Sequence, residues 1–131
     1  MAVLVTFGTD DGINLNDDHL GMARYFSVYH LYDGKAIFLE TRENSAFKGD
    51  ETIKHGDPAK AKSTSSVLEG IDIVVGKKFG PNLPRLLHKF VCVVVRTNTI
   101  DKAIQCIQRD MSIIENEMNK KCNRKHIVLK P

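Results

Sequence analysis

The hydrophobic residues of this chain fall into short blocks, and each block has a legible period. Val3, Leu4, Val5 and Phe7 form an apolar run with β-branched side chains, the pattern of a central strand. Residues 8–18 then carry two glycines, two asparagines and the aspartates Asp10, Asp11, Asp17 and Asp18, a loop expected to stay outside the core. His19 follows, then Gly21, which allows a sharp turn or a close approach to a ligand. Residues 24–42 predict a hairpin. Phe26 and Val28 alternate with Ser27, Tyr25 and Tyr29 give the other face some apolar cover, and Asp33-Gly34 supplies the positive φ angles of a two-residue turn.

Residues 43–56 are polar and read as a long exposed loop. Asp57-Pro58 opens a helix as N-cap and first helical residue, and Gly70 closes it. Residues 71–75, IDIVV, and 90–95, FVCVVV, are near-continuous apolar strands. Between them lie a Lys77-Lys78-Phe79-Gly80 loop and a short helix over 81–89. Such a unit describes a right-handed crossover whose parallel strands are buried on both faces. Residues 99–120 predict the longest helix, with Ile100, Ala103, Ile104, Ile107, Met111, Ile114 and Met118 in one stripe. Residues 126–129 add a short edge strand or a tail. The order β-β-β-α-β-α-β-α implies a single α/β domain over residues 1–131, a mixed sheet of about five strands flanked by helices.

Composition narrows the function classes. The formal net charge is +3 and the pI near 8.8, which admits an anionic ligand. There is no concentrated basic stripe, so no nucleic-acid partner is expected. The one dense basic group, Lys120, Lys121, Arg124 and Lys125, reads as a solvated tail. Cys92, Cys106 and Cys122 are odd in number and widely spaced, which argues against a disulfide framework and for a reducing compartment. No apolar run approaches the roughly 18 residues that cross a membrane, and the N-terminus lacks a basic leader. A cytoplasmic protein with no membrane partner is the expectation.

In open sheets, ligands bind beyond the carboxyl ends of parallel strands. Three loops would leave such ends: residues 8–21, 76–80 and 96–98. If the first strand lies beside the 71–75 strand, these loops converge. The pocket would hold His19, the Lys77 and Lys78 ammonium groups, and the amides at the start of the 81–89 helix. One imidazole beside a positive, glycine-lined cradle suits a large anionic ligand containing a metal atom that imidazole can coordinate.

The residues also resemble a known family. Asp11-Gly12 through His19-Leu20-Gly21-Met22-Ala23-Arg24-Tyr25-Phe26 is similar to the D-G-x…H-F-G-x-A-x-x-F signature of the dinitrogenase iron–molybdenum cofactor biosynthesis family. That family includes small NifX-like carriers and a domain of the cofactor-synthesis enzyme NifB. Residues 68–76 with Phe79-Gly80, and the helix start at residues 99–104, resemble further hallmarks. The resemblance implies a ribonuclease-H-like fold and non-enzymatic binding of an iron–sulfur cluster or iron–molybdenum cofactor precursor, with cofactor-assembly proteins as partners. It implies His19 as the metal ligand. Gly12, Gly21, Gly76, Lys77, Lys78 and Gly80 complete the expected cofactor-binding set. Leu20 stands where phenylalanine is usual, and no His-rich or Cys-rich tract surrounds His55.

Two other readings remain at this stage. One is a protein-interaction module of the same fold without a cofactor. The other is a metal-dependent ribonuclease-H-like nuclease using the clustered aspartates and Asp72, although no acid ends the 90–95 strand. His30 and His88 read as packing or surface residues. Cys122-x3-His126, on a basic terminal segment, does likewise.

Overall fold

The computed structural model describes residues 2–44 and 67–131. Within them, β1 (Val3–Thr9), β2 (Tyr25–Tyr32), β3 (Lys35–Glu43), β4 (Ile73–Gly76), β5 (Val91–Val95) and β6 (Ile127–Leu129) form one mixed sheet ordered β3-β2-β1-β4-β5-β6. Three helices flank it: α1 (Leu83–Leu87), α2 (Ile100–Arg109) and α3 (Met111–Met118). The β2–β3 hairpin and β1 pair antiparallel. β1, β4, β5 and β6 run parallel. The hairpin turns on Asp33 at φ 50° and Gly34 at φ 73°, the left-handed pair that a primed turn requires.

Both faces of the central strands are covered, which is why β1, β4 and β5 read as continuous apolar runs. Val5, Phe7, Ile73, Val75, Val91 and Val93 face α2 and α3. Phe26, Val28, Val74 and Cys92 face α1, Leu20, Leu68 and Phe79. Ser27, on the face of β2 expected to be more polar, is buried for the same reason, and Thr6 Oγ1 donates to its carbonyl at 3.0 Å.

Four sequence expectations change in detail. Residues 127–129 are a true sixth strand, parallel to β5. The long helix over 99–120 divides at Asp110, whose φ of −109° and ψ of 27° leave the helical region. Asp110 N–H still donates to Cys106 O at 3.1 Å and closes α2, while its carbonyl accepts from Ile113 and starts α3. The apolar stripe survives the break: Ile100, Ala103, Ile104, Ile107 and Ile114 are buried, with Met111 and Met118 packed beside them. The short helix over 81–89 is a 3-10 turn followed by the five residues of α1. The loop after β1 is not wholly outside the core, since Leu15 and Asn16 are buried. Most of the 43–56 loop and the 57–69 helix lie outside the described residues.

Candidate functional site

The site grows from the loop after β1, and each of its bends has a local cause. Thr9 Oγ1 accepts from Gly12 N–H at 2.9 Å, where Gly12 takes a φ of +83° that glycine tolerates freely. Asp11 Oδ1 accepts from the amides of Ile13 at 2.8 Å and Asn14 at 2.7 Å, and Oδ2 from Asn14 Nδ2 at 2.8 Å. These donors stabilise the carboxylate and pull the Asp11 pKa down to about 2. Two backbone bonds then tie the loop to the far side: Leu15 N–H to Asn98 O at 2.8 Å, and Ile100 N–H to Ile13 O at 2.9 Å. The expected convergence of the 8–21 and 96–98 loops is thus present as hydrogen bonds.

The second half of the loop crosses to the other face. Asn16 N–H donates to Gly8 O at 3.1 Å, and its Nδ2 donates to the carbonyls of Asp18 and His19, each at 3.1 Å. Asp18 Oδ1 accepts from His19 N–H at 2.7 Å. Leu20 N–H donates to Lys78 O at 2.9 Å, which joins this loop to the lysine turn. The Leu20 side chain is fully buried. A Cβ on Gly8 would come 2.8 Å from Leu20 Cδ1, and one on Gly76 would come 3.3 Å from it. Gly8 and Gly76 therefore leave the space in which Leu20 sits. Gly21 lies in a 3-10 turn, Leu20–Met22, and its carbonyl accepts from Asn44 Nδ2 at 3.0 Å.

These anchors set the backbone of His19 beside the lysine turn. A Cβ built on Gly80 would lie 2.4 Å from His19 Nδ1 and 2.7 Å from Cγ and Cε1. The imidazole thus rests against the bare α-carbon of Gly80, which takes a φ of +73°. Nδ1, Cγ and Cε1 form the near side of the ring, so Nε2 lies toward its far edge. His19 itself is half-buried at the rim of the sheet.

Of the residues singled out from the sequence, His19, Gly76, Lys77, Lys78 and Gly80 come together here. Gly12 and Gly21 lie on the arc of the loop on either side. The structure adds residues that sequence reasoning missed. Asp17 Oδ1 lies 2.6 Å from Lys77 Nζ, so one of the two expected ammonium groups already has a counter-ion, and the contact holds the Asp17 carboxyl below its usual range. Asn16 is the polar latch of the loop. Arg96 and Lys102 join Lys77 and Lys78 around a cavity of about 630 Å³ beyond β4 and β5. A second cavity, of about 400 Å³, shares Lys77 and Asn98 with it but is lined by Asp10, Asp11 and Asp17. The position of Arg96 directly after the apolar run, and of Lys102 in the first turn of α2, could have marked both.

The aspartates do not assemble with Asp72. Asp72 Oδ2 accepts from Leu4 N–H at 2.9 Å at the amino end of β4, whereas Asp10, Asp11 and Asp17 lie beyond the carboxyl end of β1. Asp10 Oδ1 accepts from Arg24 N–H at 2.9 Å, a loop-closing bond. Among the described residues, no group of three or more His, Cys, Asp and Glu side chains could hold a metal ion. His55 lies outside the described residues. Cys92 is sealed in the core, and burial pushes its thiol up to about 12.

Fold and site together define a small α/β protein with two adjoining cavities at the carboxyl edge of a mixed sheet. The chain belongs to the dinitrogenase iron–molybdenum cofactor family, whose model matches residues 1–110. Among solved structures it is similar to a Methanocaldococcus jannaschii protein provisionally described as a dinitrogenase. The TM-score is 0.56 at 15% identity, over 83% of this chain and 90% of that one, a likeness of fold. No curated protein matches the chain. Among the described residues, no helix is long and apolar enough to cross a membrane.

Proposed function

We propose that the protein binds and carries an iron–sulfur or iron–molybdenum cluster precursor without transforming it, with His19 as the direct protein ligand. The observation that carries this reading is the His19 ring held against Gly80 at the carboxyl edge of the sheet. A ligand that must be handed on needs few protein bonds, and one imidazole at a rim provides a single metal–nitrogen bond that a recipient can displace. Nε2, on the far edge of the ring, is the coordinating atom. Lys78 and the rest of the 76–80 turn, against which the near side of the ring rests, would offset the negative charge of a sulfide-rich cluster. Lys77 contributes less than its charge suggests, because Asp17 occupies it. Gly76 acts through Leu20, and Gly12 and Gly21 shape the loop. The recipients would be cofactor-assembly proteins of a reducing, cytoplasmic compartment.

The test is anaerobic mixing with a preformed cubane iron–sulfur cluster, followed by gel filtration. Visible absorbance should elute with the protein and be lost in His19→Ala. Retention by that variant would remove His19 from the site. Cluster-free elution of the wild type would favour the interaction-module reading, to which the exposed Ile37, Phe38 and Leu39 of β3 give some support.

A further inference from the structure

The cavity of about 630 Å³ beyond β4 and β5 is a different environment from the His19 rim. Among the described residues, four cationic ones line it, Lys77, Lys78, Arg96 and Lys102, together with Thr97 and Thr99, and no carboxylate does. Among the described residues, Lys77 alone of the four makes an ion pair, and its partner Asp17 lines the neighbouring cavity. Like charges gathered round one solvent-filled space repel one another, and a multivalent anion converts that repulsion into attraction. The volume lies within the about 300–1,000 Å³ typical of small-molecule sites. Among the described residues the wall is polar apart from Val95, so charge and hydrogen bonds would select the ligand.

The elements hold these groups in place for reasons independent of His19. Gly76 at the end of β4 pairs with Val94 of β5, so the residues just past each strand emerge side by side. Arg96 N–H donates to Leu129 O at 2.9 Å, which pins the backbone of the arginine to the end of β6. Thr99 caps α2 by accepting from Lys102 N–H at 3.2 Å, which sets Lys102 in the first turn of the helix. Two loops and a helix start thus bring four cationic residues to the wall of one space.

We propose that this basin is a site for a small multivalent oxyanion, a phosphate chain or a polycarboxylate, and that it shares Lys77 and Lys78 with the proposed cluster rim but does not use His19. Arg96 supplies the planar fork that matches a phosphate or carboxylate edge, and Lys78 and Lys102 supply point charges. Asp17 competes with the anion for Lys77. Binding therefore means exchanging the Lys77–Asp17 contact for a contact with the ligand.

Calorimetric titration of the full, cluster-free chain at low salt tests this, with inorganic pyrophosphate and tricarballylate as separate probes. At least one should bind saturably with one-to-one stoichiometry and weaken as salt rises, and the tighter of the two names the ligand chemistry. The Arg96→Gln/Lys102→Gln double variant should lose about tenfold or more in affinity. Asp17→Asn should gain about threefold, because Lys77 is released and a repelling charge is gone. His19→Ala should bind as the wild type does, which separates this site from the cluster reading. No saturable binding of either probe, wild-type affinity in the double variant, or loss of anion binding in His19→Ala would each overturn the proposal.

Discussion

The contact between His19 and Gly80 joins the loop that follows β1 to the turn that follows β4. Its consequence is direct. In Gly80→Ala the new methyl would enter the space of the imidazole, and the φ of +73° would add about 1–2 kcal/mol of backbone strain. The expected outcome is a folded, modestly destabilised protein in which His19 is displaced. Anaerobic cluster retention should fall toward that of His19→Ala while the denaturation midpoint drops only slightly. Asp11 makes a second prediction at this scale. Its folded pKa of about 2 lies below the ordinary 3.8, so its contribution is fully present above pH 3.8 and is lost as pH falls toward about 2. Urea midpoints of wild type and Asp11→Asn should differ above pH about 4 and converge toward pH about 2. The cysteines make a third. Cys92 and Cys106 are buried and Cys122 is exposed, so native alkylation followed by mass spectrometry should label Cys122 and spare the other two. His19 itself was legible in the sequence, as a histidine in a polar loop between two strands. Its seat on Gly80 was not, because no local pattern says which glycine of a distant turn will face it. The Lys77–Asp17 pair, 60 positions apart in the chain, was hidden for the same reason.

Among the elements, the loop after β1 works as a clamp. Leu15 enters the core on the α2 side of the sheet and Leu20 enters the core on the α1 side. Both are single apolar residues in a stretch dominated by Asp, Asn and Gly, so composition alone assigned the loop to solvent. The helix following β5 shows the converse. Its seven-residue apolar stripe is legible in the sequence, but the break at Asp110 leaves no trace in periodicity because the stripe continues across it. Ile107 lies at the centre of that stripe with no exposure, against the Val75 and Val93 face of the sheet. Ile107→Ala should cost about 2–5 kcal/mol in chemical denaturation. Ile113→Ala, half-exposed on the outer face of α3, should cost under about 0.5 kcal/mol. The edge strand β3 carries a bulge opposite the Val28–Tyr29 step, which leaves Leu39 without a partner in the register. A bulge there interrupts the row of unpaired amides that would otherwise invite another strand.

For the whole molecule, the hairpin, the parallel crossover and the family were all readable from apolar period and turn chemistry. Those signals are local, and the topology follows from them by the right-handed crossover rule. In the sequence the sixth strand is indistinguishable from a tail, because three residues carry too little pattern to decide. At the carboxyl edge, tertiary contact adds a division of charge. One cavity carries Asp10, Asp11 and Asp17, and the next carries Lys77, Lys78, Arg96 and Lys102, with Lys77 at the boundary. The His19 loop stands beside that boundary, bonded to Lys78 through Leu20. The proposed function requires the His19 imidazole to supply the nitrogen that coordinates the metal. Its most direct test is pulsed electron-nuclear resonance on the reduced, cluster-loaded protein, prepared with nitrogen-15-labelled histidine. A coupling to one histidine nitrogen is expected, absent in His19→Ala reconstituted in the same way. A loaded protein with no histidine coupling, or with one that persists in His19→Ala, would contradict the account.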